Sequence, residues 1–289
     1  MLALLFAFAV PILGAAMNLF DKYVVSKRVK KPLAYTAIAG FVPLLYGLLL
    51  ATFVSWDGTR LAALFPSIVA GLVMGVNYYF YYFILNREDA SLFTGFNLTS
   101  PLLVALLAFF LLGEQLTALN IAGVVLVVIG ALLLALRGAT SRKSSYWLFV
   151  ASIANITIYE FLIKFSTTNL GELQGLSLSM MTIGVTICCG LLSAKIRAGA
   201  REELRNIGWA FAAEAMTFLV VGCLYFAMGA LPAAIVVSID ATRPLFTILY
   251  ERLLHWRGAA LSSDYALLPR LGAIALIIAG VVLLTVTGT

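Results

Sequence analysis

Ten apolar runs, separated by short polar connections, leave this chain few folds to choose from. They fall at about 2–20, 32–54, 61–85, 90–112, 119–136, 146–166, 175–193, 207–228, 231–254 and 268–287. Crossing the hydrocarbon core of a bilayer takes roughly 20 helical residues. Lipid offers the backbone no hydrogen-bond partner, so a run of this kind closes its own amides as a helix or joins a closed barrel. Barrel strands alternate in polarity, and these runs do not. The expectation is an all-α integral membrane protein with ten transmembrane helices. Composition agrees, with 63% apolar and 11% charged residues, against roughly 25% charged in a soluble domain. The start, Met1 to Phe6, lacks the basic segment and cleavage site of a signal peptide and reads as part of the first span.

The net charge of +6 does not point to nucleic acid, because the cations lie between the apolar runs. Sixteen of the nineteen Lys and Arg residues follow runs 1, 3, 5, 7 and 9, and the opposite connections hold only Arg60 and Lys164. By the positive-inside rule the sixteen are cytoplasmic, and both termini lie outside a cell membrane. Lys22, Lys27, Arg28, Lys30 and Lys31 make the strongest block. Trp56, Trp147, Trp209 and Trp256 all fall near predicted helix ends, as an interfacial belt requires. Cys188, Cys189 and Cys223 have neither metal-ligand nor redox spacing and read as packing residues.

A second constraint is repetition. Asn97-Leu98-Thr99-Ser100-Pro101 in the fourth run is answered by Asp240-Ala241-Thr242-Arg243-Pro244 in the ninth, and each copy continues into an apolar tail. The two prolines are 143 residues apart, about half the chain. Tyr81-Tyr82-Phe83 matches Leu224-Tyr225-Phe226 at the same offset, and Phe20-Asp21 resembles Tyr159-Glu160. Gly123 with Gly130, and Gly272 with Gly280, pair the fifth and tenth runs. The polar linker Arg137–Ser145 divides five runs from five, giving units 1–138 and 145–289. An odd number of spans per unit makes the second copy enter the bilayer from the opposite side, as in inverted-repeat transporters.

Charges inside the runs mark the candidate site, since one at mid-bilayer costs roughly 2.5–3.5 kcal/mol on insertion scales. Asp240 and Arg243 lie at i and i+3 on one helix face and can pair. That pair is either structural or a guanidinium fork held ready for a carboxylate or phosphate. Their counterparts in the first copy are Asn97 and Ser100, so one side of the site is neutral and the other charged. Glu214 has no basic partner one turn away, and Tyr225 shares its face. Burial disfavours the ionised form of an acid, which makes Glu214 a candidate proton carrier or substrate contact, or else a neutral, hydrogen-bonded acid or a residue near the headgroups.

Glu160 and Lys164 stand in the favourable i, i+4 order and suit a local ion pair near the interface, with Glu160 kept as a site candidate. Asp21 sits at the expected end of the first helix, with Asn18 one turn earlier on the same side. In the third run Tyr78 and Tyr82 share a stripe with Gly71 and Gly75 and suit an organic substrate, including a cation. Pro101 and Pro244 deprive the carbonyls of Asn97 and Asp240 of their usual donors, favouring a kink or hinge in each copy.

The chain resembles the drug/metabolite transporter superfamily in its EamA-like ten-helix form, over nearly its whole length. The residues that carry the resemblance are Pro101, the closing segment Gly113-Glu114-Gln115-Leu116-Thr117, and the glycine-bearing run that follows. The second copy departs from that pattern, with Arg257 in place of the glutamate. The resemblance implies two inverted five-helix repeats around a central cavity lined by spans 1, 3, 4, 6, 8 and 9, with Glu114 a loop or helix-end residue rather than a substrate contact. It also implies cytoplasmic termini, against the charge count.

No Walker A, H-E-x-x-H or G-x-S-x-G motif and no Asp-rich cluster is present, so no enzyme, metal or cofactor is expected. The function expected is secondary active transport, by alternating access, of a small polar or amphipathic metabolite such as an amino acid or organic amine, with protons as a candidate coupling ion. A passive facilitator or channel is the alternative, and a membrane enzyme on lipid-linked substrates the weaker one. The partners expected are that substrate, the bilayer and protons, with a homodimer left open and nucleic acid excluded.

Overall fold

The structure, a computed structural model, describes residues 1–87, 100–114, 117–136, 146–256 and 271–287. Among these residues all regular structure is helical. The helices are α1 (Leu2–Lys27), α2 (Pro32–Ala39), α3 (Phe41–Ala51), α4 (Leu61–Arg87), α5 (Ser100–Leu112), α6 (Ala118–Leu136) and α7 (Tyr146–Asn169). They continue with α8 (Glu172–Cys188), α9 (Ala194–Glu203), α10 (Ile207–Ala230), α11 (Ala233–Asp240), α12 (Arg243–Trp256) and α13 (Leu271–Thr287). Among the described residues seven stretches are long and apolar enough to cross a membrane, making this a multi-pass membrane protein. Three shorter apolar stretches, Ser100–Leu112, Ala118–Gly130 and Gly272–Leu284, stand at the fourth, fifth and tenth runs. The expected start of the fourth helix at 90–99, the linker 137–145 and Arg257 lie outside the described residues.

Two spans are broken next to a proline, whereas Pro11 and Pro66 leave α1 and α4 continuous. Pro43 has no N–H to offer the carbonyl of Ala39, and the helix divides at Gly40 into α2 and α3. Pro244 stands in the same relation to Asp240, and α11 ends at Asp240 before α12 begins at Arg243. The first helix runs on to Lys27 rather than stopping near residue 20, which puts Asp21 inside a helix instead of at its end. The charged stretch 194–203, expected as loop, is helical: ten residues form α9, with Gly199, Ala200 and Glu203 on its buried edge.

The helices pack in pairs that mirror one another. α1 lies along α10, as α7 lies along α4; α1 also meets α11 and α12, as α7 meets α5. α6 lies along α13. Lipid tails are as apolar as leucine, so close helix contact in a bilayer relies on small residues. A Cβ on Gly280 would stand 2.6 Å from the carbonyl oxygen of Gly123, and one on Gly130 would stand 2.7 Å from that of Ala273. Gly272 meets nothing and takes no part. α4 presses closely on α8, with Gly71 against Thr182, Gly75 against Thr186, and the Tyr79 hydroxyl donating to the Ile187 carbonyl at 2.5 Å. The counterpart contact, α10 with α2 and α3, is much sparser.

Candidate functional site

Between these pairs lies a cavity of about 150 Å³. It is lined from α1, α4, α5, α7, α10, α11 and α12, at positions near the middle of each long span. Its walls are mostly apolar, from Val10 and Met17 to Val220, Val221 and Leu224, with polar side chains set among them.

Asp21, buried at 4% exposure, accepts a hydrogen bond from the Tyr81 hydroxyl at 2.9 Å, and Asn18 lines the wall one turn earlier. Glu160 accepts a hydrogen bond from the Ser100 hydroxyl across the gap between α7 and α5. Asp240 takes both forks of Arg243, Nε at 3.1 Å and Nη2 at 2.6 Å, in the bidentate geometry that suits a guanidinium. Both residues line the cavity. The guanidinium lies flat against Gly14 of α1, where a Cβ would stand only 2.7 Å from Nε and Cζ. Gly14 is thus the seat that lets Arg243 reach the cavity. Glu214 is one layer back: it accepts from the Tyr78 hydroxyl at 3.1 Å, and Tyr78, not Glu214, faces the opening. The Tyr159 hydroxyl, on a lining residue, has no hydrogen-bond partner among the described residues.

Several expectations need correction. Glu160 and Lys164 do not pair. Lys164 instead donates to the carbonyls of Met228 at 2.8 Å and Leu231 at 2.9 Å, at the C-terminal end of α10, where a cation is favoured. It also lies 3.6 Å from Glu114. Glu114 accepts the backbone N–H of Ala233 at 3.1 Å, at the N-terminal end of α11, so this residue ties helix ends together outside the cavity.

The tyrosine stripe also divides. Tyr78 and Tyr81 line the cavity, whereas Tyr82 is packed behind them, edge-on to Tyr35 at 5.9 Å. Tyr225 is fully buried behind the wall, its ring against Gly175. Gly71 and Gly75 serve the contact with α8 and not the cavity. Asn97 lies outside the described residues. Gly14, Asn77, Tyr81 and Tyr159 are lining or supporting residues that the sequence did not single out as site residues. Tyr81 lies at i, i+3 to Tyr78, but Tyr82 lies at i, i+4, so spacing alone does not choose between them, and Gly14 carries no local signal.

Across the cavity, three carboxyl groups face one guanidinium, with a fourth acid behind Tyr78. Charge in the bilayer is tolerated where it pairs or lines a polar cavity, and such residues mark substrate or proton pathways. Residues 1–136 match the model of the EamA-like transporter family. The matched residues make up just under half of the chain, and the family similarity is that of these residues. The match is consistent with the drug/metabolite transporter superfamily and makes this part of the chain similar to a membrane transporter. One solved crystal structure superposes on 99% of this chain and 98% of its own, with a TM-score of 0.69 at 18% identity, a likeness of fold alone. No curated protein matches the chain.

Proposed function

We propose that the protein is a secondary transporter that carries a small polar or amphipathic metabolite, an amino acid or organic amine, by alternating access around this cavity. The reading rests chiefly on one observation: Asp21, Glu160 and Asp240 outnumber Arg243 in a buried cavity near the middle of the long spans. Asp240 and Arg243 can release one another to a zwitterion, whose carboxylate takes the fork while its amine meets Glu160 or Asp21. The excess acid suits an amine or a proton when the cavity is otherwise empty.

Two inverted five-span units, 1–138 and 145–289, would supply the motion. The mirrored helix contacts support them, and so does the one contact that is not mirrored. A tight α4–α8 seam beside a sparse α10–α2 seam supports reading this arrangement as one of two alternating states. Tyr78 stands between the cavity and Glu214, so a proton held on Glu214 can respond to the cavity's contents. In proteoliposomes, Glu214→Gln is expected to bind labelled amino acids or amines but to lose the acceleration that a pH gradient gives wild type. Unchanged gradient-driven uptake would remove Glu214 from the coupling role. Counterflow of labelled substrate without conductance separates this reading from a channel.

A further inference from the structure

One end of the bundle carries a built cationic surface that the transport cavity does not use. The inner edge of α9 is clamped onto the turn between α1 and α2. A Cβ on Gly199 would stand 2.8 Å from Lys31 Cδ and 3.0 Å from Ala34 Cβ. Glu203, fully buried, accepts the backbone N–H groups of Lys30 at 3.0 Å and Lys31 at 2.9 Å. Asn206 donates to Glu203 at 2.7 Å and to the carbonyl of Arg28 at 3.1 Å.

This clamp sets two basic segments side by side: Lys27, Arg28, Lys30 and Lys31 on the turn, and Lys195, Arg197, Arg201 and Arg205 on and beside α9. All eight are exposed. The exposed acid among them, Glu202, is already paired with Lys31 at 3.2 Å. Arg28 is stacked over Trp209 at 5.3 Å, and Arg197 donates to the Leu191 carbonyl at 3.3 Å. The side chains of Lys27, Lys30, Lys195, Arg201 and Arg205 have no hydrogen bond or ion pair among the described residues. Leu192, 80% exposed, and Leu204, 52% exposed, flank the two ends of α9. At the opposite ends of the same spans, the connection 52–60 holds one cation, Arg60, and one acid, Asp57.

The geometry points to a docking surface for anionic phospholipid headgroups, with phosphodiester oxygens against Lys195, Arg201, Arg205 and the Lys27–Lys31 turn, and with Leu192 and Leu204 at the acyl boundary. Cations beside exposed leucines on a short helix at a membrane edge match the interface in both charge and polarity. The headgroup bridges α9 to the turn from outside, reinforcing the clamp that Glu203 makes from inside.

The test uses the full chain, purified in neutral detergent, with added phosphatidylglycerol or phosphatidylcholine and a thermal unfolding readout. Phosphatidylglycerol is expected to raise the midpoint by several degrees, phosphatidylcholine and inorganic phosphate to leave it in place, and high salt to shrink the rise. The triple variant Lys195→Gln, Arg201→Gln, Arg205→Gln is expected to lose at least half of the rise, while Arg60→Gln keeps all of it. An equal rise with phosphatidylcholine, a rise given fully by inorganic phosphate, a salt-independent rise, or a triple variant that responds like wild type would each overturn the assignment. The salt and headgroup comparisons on wild type decide the matter even where the variant does not fold.

Discussion

Replacing Arg243 with alanine is expected to abolish transport and to lower the stability of the fold by about 3–5 kcal/mol, the usual cost of stranding one member of a buried ion pair. The carboxylate of Asp240 would lose both its forks, at 2.6 Å and 3.1 Å, and the groove at Gly14 would be left without the group that fills it. Removing both charges separates structure from function. A double variant, Asp240→Leu with Arg243→Met, buries no unpaired charge and should recover most of the lost stability, because apolar replacements of buried ion pairs are often neutral or better. Its transport should stay lost. The checks are thermal unfolding of the purified proteins and uptake into proteoliposomes. A double variant that carries substrate would make the pair a structural clasp and nothing more.

Glu203→Ala is the second large effect expected. Three donors converge on this fully buried carboxylate: the backbone N–H groups of Lys30 and Lys31, and the side-chain amide of Asn206. A buried donor left without a partner costs about 1–3 kcal/mol, so the variant should lose roughly 3 kcal/mol or more. Glu203→Gln should fall between, since it keeps an acceptor for the backbone but presents an amide of its own to Asn206. The local signature is amide hydrogen exchange, which should become fast at Lys30 and Lys31 while the core of α10 stays protected. Slow exchange at both lysines in the alanine variant would mean that something other than Glu203 holds the turn.

What could be read from the sequence was what depends on neighbours along one helix. The Asp240–Arg243 pair is three residues apart, and its geometry follows from helical rise alone. The break before Pro244 follows from a missing N–H. The all-helical, multi-pass architecture follows from run length. The links that build the cavity are of another kind: Tyr81 to Asp21, Tyr78 to Glu214 and Ser100 to Glu160 join helices 60 to 136 residues apart. Nothing in local spacing fixes which face of α4 turns inward, and four tyrosines in five residues cover every face. Hence Tyr82 was expected where Tyr81 stands. Lys164 misled for a related reason. Spacing offered it Glu160, but free carbonyls at the end of α10 lay within reach and compete well for a cation. The helix α9 was missed because hydropathy sees its charge and not the small-residue edge that packs.

The central claim is that the cavity belongs to a path reached in turn from each side of the membrane. Val221, a lining residue of α10 at 6% exposure, offers a direct probe. In a background where Cys188, Cys189 and Cys223 are replaced by alanine, a cysteine at Val221 is expected to react with a small membrane-impermeant thiol reagent added to either face. A cysteine at Ile277, buried where α6 meets α13, should not react. Reaction of the Val221 cysteine from both faces, slower than at a loop, is the predicted result; no reaction from either face would contradict the account.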